Sequence, residues 1–81
     1  MNIYTIKFKS TCPNNGLIIS YTLRIETDEK IMVETIISAC HTNKSGYHED
    51  IADAIYARLG AGRHVLRAYH HGVHIETRRG F

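Results

Sequence analysis

The chain has 81 residues, 43% hydrophobic and 22% charged, the proportions of an ordinary folded domain rather than of a disordered tail or a membrane segment. Ten Lys and Arg against eight Asp and Glu leave a formal charge of +2, which excludes an acidic mimic of DNA and is too small to imply nucleic-acid binding by itself. A chain this short builds a single compact domain, residues 1–81, whose core is one layer of helix on one sheet.

Residues 3 to 9 alternate, with Tyr4, Ile6 and Phe8 on one side and Ile3, Thr5, Lys7 and Lys9 on the other, the period-two signature of a half-buried strand. Cys12-Pro13-Asn14-Asn15-Gly16 then gathers turn-forming residue types. From Leu17 to Glu26 the alternation returns, with Leu17, Ile19, Tyr21, Leu23 and Ile25 inward and Ile18, Ser20, Thr22, Arg24 and Glu26 outward. The two runs predict an antiparallel hairpin with its aromatic and aliphatic face inside.

At Thr27-Asp28 the period changes. Either residue can cap a helix whose apolar stripe is Ile31, Val33, Ile36, Ile37 and Cys40, and Asn43 or Gly46 is placed for a left-handed stop. A second helix is expected from about Tyr47 to Leu59. Its first turn, His48-Glu49-Asp50, is acidic and solvated, its inner stripe is Ile51, Ala52, Ile55, Tyr56 and Leu59, and Gly60-Ala61-Gly62 ends it.

The stretch Arg63 to Arg79 closes the pattern as a second hairpin, turning at His71-Gly72, where glycine supplies the positive φ of a two-residue turn. That turn fixes the register. Ala68 faces Ile75 and Leu66 faces Thr77 on one side, while Tyr69 faces His74, Arg67 faces Glu76 and Val65 faces Arg78 on the other. The fold class is therefore α+β, in the order ββααββ: an antiparallel four-stranded sheet with two helices packed on one face. Strand order is left open.

Six histidines, four of them in the second hairpin, raise the question of zinc. The register sends His70 and His74 to opposite faces and Cys12 and Cys40 form no paired half-site, so no metal or other cofactor is expected. Nor is an enzyme expected. Cys40 and His41 are helix neighbours pointing about 100° apart and cannot act on one another, and no phosphate loop, nucleophile elbow or metalloprotease pattern occurs.

The informative surface is the open sheet face. It gathers Arg67, Tyr69, His74 and Arg78, with Lys7, Lys9 and Arg24 as rim charges and Arg79 beyond the hairpin, a set suited to contacting a partner. The opening MNIYTIKFKS has no basic leader running into an apolar stretch and no segment reaches transmembrane length, so a cytoplasmic location without membrane association is expected, with both cysteines reduced. A Cys12–Cys40 disulfide is the alternative in an oxidising compartment.

In size, mild charge and lack of catalytic apparatus the chain resembles the small phage-encoded inhibitors of host defence, anti-CRISPR proteins among them. The resemblance is to a type and carries no motif. It implies a non-enzymatic inhibitor that occludes a protein or nucleoprotein partner through the sheet face and C-terminal hairpin. A direct nucleic-acid-binding accessory or regulatory protein is the rival reading, and a homodimer pairing its edge strands is a third.

Overall fold

A computed structural model describes residues 1–81. Its elements are β1 (Asn2–Thr11), β2 (Ile18–Thr27), α1 (Val33–His41), α2 (His48–Leu59), β3 (Arg63–His70) and β4 (Val73–Arg79). The strands lie in the order β1-β2-β3-β4, every neighbouring pair antiparallel, so the helical pair is inserted between the two central strands. The architecture is ββααββ, as the alternation of the sequence implied, and the strand order is now settled.

Both helices cover one face of the sheet. Phe8, Ile19, Tyr21, Leu23 and Ile25 of the first hairpin and Leu66 and Ala68 of the second meet Ile36, Ala39 and Cys40 of α1 and Ile51, Ala52 and Ile55 of α2. Each of the larger side chains in this layer contributes about 1.5–3 kcal/mol by leaving water. The second hairpin turns where expected: His71 at φ 52° and Gly72 at φ 82° give the two positive angles of a type I′ turn, and every cross-strand pair from His70 with Val73 to Val65 with Arg78 follows.

The first helix departs from expectation. Thr27 is still in β2, paired with Asn2, and its Oγ1 accepts the Glu29 N–H at 3.0 Å, so it closes a turn rather than capping a helix. The Tyr4 hydroxyl accepts the Ile31 N–H at 3.1 Å and holds that residue in an extended tie across the sheet. The helix starts only at Val33. Val33 is consequently 55% exposed and Ile37 also faces outward, and the inner stripe narrows to Ile36, Ala39 and Cys40. At the other end the stop is made by a side chain, not by a left-handed residue: Asn43 Nδ2 donates to the Ala39 carbonyl at 2.8 Å.

The connection between the helices is laced to the end of β1. Thr11 N–H donates to Lys44 O at 2.9 Å, Gly46 N–H donates to Thr11 O at 3.2 Å, and Ser45 forms a parallel bridge with Thr11. This lacing sets Cys12 beside the first turn of α2.

After Gly60 ends α2 in the left-handed region, Gly62 at φ 82° brings the chain back against β2 so closely that a Cβ there would lie 2.5 Å from the Glu26 carbonyl oxygen. Gly62→Ala is expected to cost about 1–3 kcal/mol, read as a lowered urea midpoint at unchanged slope. An unchanged midpoint would show that the close approach of this turn to β2 is not required.

Candidate functional site

Two surfaces carry the polar chemistry, and they lie back to back on the second hairpin. The open face holds seven of the eight residues singled out in the sequence. Lys7 pairs with Thr22, Thr22 with Arg67 and Arg67 with Glu76; Arg24 pairs with Val65 and Val65 with Arg78; Tyr69 pairs with His74. Lys9, opposite Ser20, shares the same side.

The arginines are organised by two carboxylates. Glu76 accepts from Arg67 and Arg78, each at 2.7 Å, and Glu26 accepts from Arg24 and, at 3.0 Å, from Arg63. The Arg67 hydrogen bond, then that of Arg78, holds the Glu76 carboxyl below its usual range, and Arg24 and then Arg63 do the same for Glu26. Tyr69, 59% exposed, lies with its ring 4.6 Å from that of His74.

The eighth residue is placed elsewhere. Arg79 pairs with His64 in the ladder, a position whose side chain points toward the helices, and its Nε donates to Asp53 of α2. It therefore pins β4 to α2 and does not belong to the open face.

The second surface is a pocket between the start of α2 and the hairpin tip, which sequence reasoning missed. A hollow of about 320 Å³ is lined by Tyr47, His48, Glu49, Asp50, His70 and Ile75. An inner chamber of about 40 Å³, sharing Tyr47, His48, His70 and Ile75, adds Cys12 and Tyr21. The β1–β2 turn is joined to the hairpin tip beside it. Asn15 Oδ1 accepts the Leu17 N–H at 3.0 Å while its Nδ2 donates to His71 Nε2 at 2.8 Å, tying this turn to the hairpin tip.

His48 is the central group of the pocket. Read as part of a solvated helix start, it is instead only 9% exposed, with its ring 5.4 Å from the Tyr21 ring. Its Nε2–H donates to the Leu66 carbonyl at 3.0 Å, and because a carbonyl can only accept, the neutral ring carries its proton there. Nδ1 is left as a buried acceptor with no partner. Burial holds the imidazole below its ordinary titration range, so it is neutral near pH 7, and burial likewise raises the Tyr21 phenol, with the nearby Cys12 adding to the shift.

One signal for Cys12 was present in the sequence. The inward phase of β1, Tyr4, Ile6, Phe8, continues through Ser10 to Cys12, which predicts a thiol on the helix side rather than a free loop residue. His48 had no such signal, because its burial depends on where β3 passes. Both cysteines are free and buried, and Cys40, deep in the core, has its thiol pushed up to about 11 by desolvation. No three His, Cys, Asp or Glu side chains converge as metal ligands would, and no helix is long and apolar enough to cross a membrane.

The fold defines an antiparallel α+β protein with a pocket at one end of its helical layer. No family model matches the chain, and no curated protein matches it. Among solved structures it is similar to the crystal structure of the archaeosine synthase QueF-Like in the apo form, with a TM-score of 0.72 and 14% identity over 96% of this chain and 89% of that one. At that identity the likeness establishes a shared fold, one that an enzyme uses.

A second buried imidazole, His64, donates from Nε2 to Ala61 O at 2.8 Å and is also held below its ordinary value by burial. In the folded protein both rings stay neutral where the unfolded chain takes up protons, so their contribution to stability is present above about pH 6.5 and is lost as pH falls below it. Urea midpoints measured between pH 7.5 and pH 5 are expected to fall, and His48→Gln to flatten the decline. Equal slopes in the variant and the parent protein would mean that His48 is not held neutral by the fold.

Proposed function

We propose that the pocket beside α2 binds a small planar nitrogen heterocycle of the nucleoside class. The observation that carries this reading is the lining itself: the neutral imidazole of His48, with His70 and Tyr47, stands between a rim bearing Glu49 and Asp50 and a small chamber that holds the Cys12 thiol. The Glu49 and Asp50 carboxylates at the rim would accept donors, such as ring imino or exocyclic amino groups, and the half-exposed Tyr47 offers a stacking face. The hollow of about 320 Å³ lies at the lower end of the volumes that hold small ligands, and the chamber of about 40 Å³ at Cys12 has room for no more than the edge of one.

Fold likeness to a synthase of archaeosine, a modified nucleoside, supports the same ligand class. The sequence argued against an enzyme because no nucleophile stood near a base. Cys12 and His48, distant in the chain, line one chamber, so on this reading Cys12 is the group from which covalent chemistry on an electrophilic ligand would start. Occlusive docking of a protein or nucleoprotein, with no catalysis, would draw instead on the open face with its cluster of lysines and arginines.

Titration with archaeosine and with guanosine, followed by amide chemical shifts, is expected to perturb Cys12, Tyr47, His48 and His70 and to slow iodoacetamide alkylation of Cys12. His48→Gln, which keeps a donor near Leu66 O but loses the aromatic imidazole and places no nitrogen at the Nδ1 position, is expected to weaken binding roughly 10- to 100-fold. Absence of perturbation at these residues with both nucleosides would rule the assignment out.

A further inference from the structure

The open face and the rest of the molecule differ in charge. Six cations stand on the face, Lys7, Lys9, Arg24, Arg63, Arg67 and Arg78, with only Glu26 and Glu76 among them, a net of four positive charges. The four remaining cations and six remaining carboxylates leave everything else two negative, which together recovers the formal +2. A mild net charge thus conceals a basic face on an otherwise acidic body.

The carboxylates do not cancel the face; they shape it. Each holds two arginines in place through one oxygen apiece, and a guanidinium has five N–H donors, so most of those donors remain free for phosphate oxygens. Lys7 and Lys9 have no ion-pair partner at all. Aromatic rings mark both ends. Tyr69 with His74 lies near the hairpin tip, and Phe81, 67% exposed, lies at the far end under Arg78 and Arg63, whose guanidinium carbons are 5.6 and 5.9 Å from its centroid. The strand rise places Tyr69 and Arg63 about 20 Å apart, which fits roughly four nucleotides of an extended strand.

We propose that this face binds single-stranded nucleic acid, with Tyr69 and Phe81 stacking bases and Lys7, Lys9, Arg67 and Arg78 contacting the backbone. A duplex fits less well, since the face is a sheet with no helix or ribbon protruding to enter a groove. An acidic protein would match the charge as well, but a row of cations about 20 Å long with a ring at each end suits the regular alternation of phosphate and base along a single strand. The surface lies on the opposite side of the sheet from the pocket and shares no residue with it, so it stands or falls separately from the ligand reading above.

Fluorescence anisotropy with a labelled single strand of about twelve nucleotides, and with the matching duplex, tests this across 50 to 200 mM salt. Tighter binding of the single strand is expected, with a log–log salt slope near −2 to −3, about −0.7 for each of three or four phosphates. Tyr69→Ala is expected to weaken binding roughly tenfold or more at unchanged urea midpoint. Lys7→Gln with Lys9→Gln should make the slope shallower, while Lys44→Gln, on the helical side, changes nothing. No binding at 50 mM salt, equal or better binding of the duplex, or indifference to Tyr69 and to the two lysines would overturn the proposal. So would a dimer in solution that buries the face and leaves it unable to bind the strand.

Discussion

The pairing of β2 with β3 is the constraint from which the remainder follows. The two strands are separated in the chain by both helices, yet they run side by side from Tyr21 with Ala68 to Glu26 with Arg63. That ladder turns two local hairpins into one sheet, and it obliges the intervening chain to fold onto one face, because the entry and exit of the helical pair are fixed on neighbouring strands. It also sets Glu26 beside Arg63 and Thr22 beside Arg67, so that the cations of the second hairpin continue those of the first.

Strict alternation then divides chemistry between the two sides. Tyr69 and His70 are adjacent in sequence, but one contributes a ring to the open face and the other lines the pocket behind it. The same parity separates Arg78, which joins Glu76 outside, from Arg79, which crosses to Asp53 on α2. A one-residue slip at the His71-Gly72 turn would exchange the sides of Arg78 and Arg79, while Tyr69 and His70 stay fixed by the pairing of β3 with β2, so the type I′ geometry decides which arginine joins the open face.

The helical layer is held by unequal means. α2 has an inner stripe at regular spacing, a left-handed glycine stop and the Arg79–Asp53 pair, whereas α1 spans only nine residues and leaves Val33 and Ile37 outside. Arg58 links the two, its guanidinium donating to Ser38 Oγ at 2.7 Å and Thr42 Oγ1 at 3.2 Å. The lacing of residues 44 to 46 onto Thr11 brings Cys12 against the start of α2, whose residues His48, Glu49 and Asp50 line the pocket. The two buried imidazoles are tolerated because each has a carbonyl partner, His48 Nε2 on Leu66 O and His64 Nε2 on Ala61 O, although each leaves its Nδ1 unpaired.

Local patterning alone determined the strands, both hairpins, the register of the second and the membership of the open face, because a period of two and a glycine at a two-residue turn are properties of near neighbours. Helix α2 was legible for the same reason. The start of α1 was not, since the Tyr4 hydroxyl and the pairing of Thr27 with Asn2 act on it from across the sheet. The strand order, the docking of Arg79 on Asp53 and the meeting of Cys12, His48 and His70 in one pocket were decided by tertiary structure, because each depends on which distant segment passes alongside, and no run of adjacent residues encodes that.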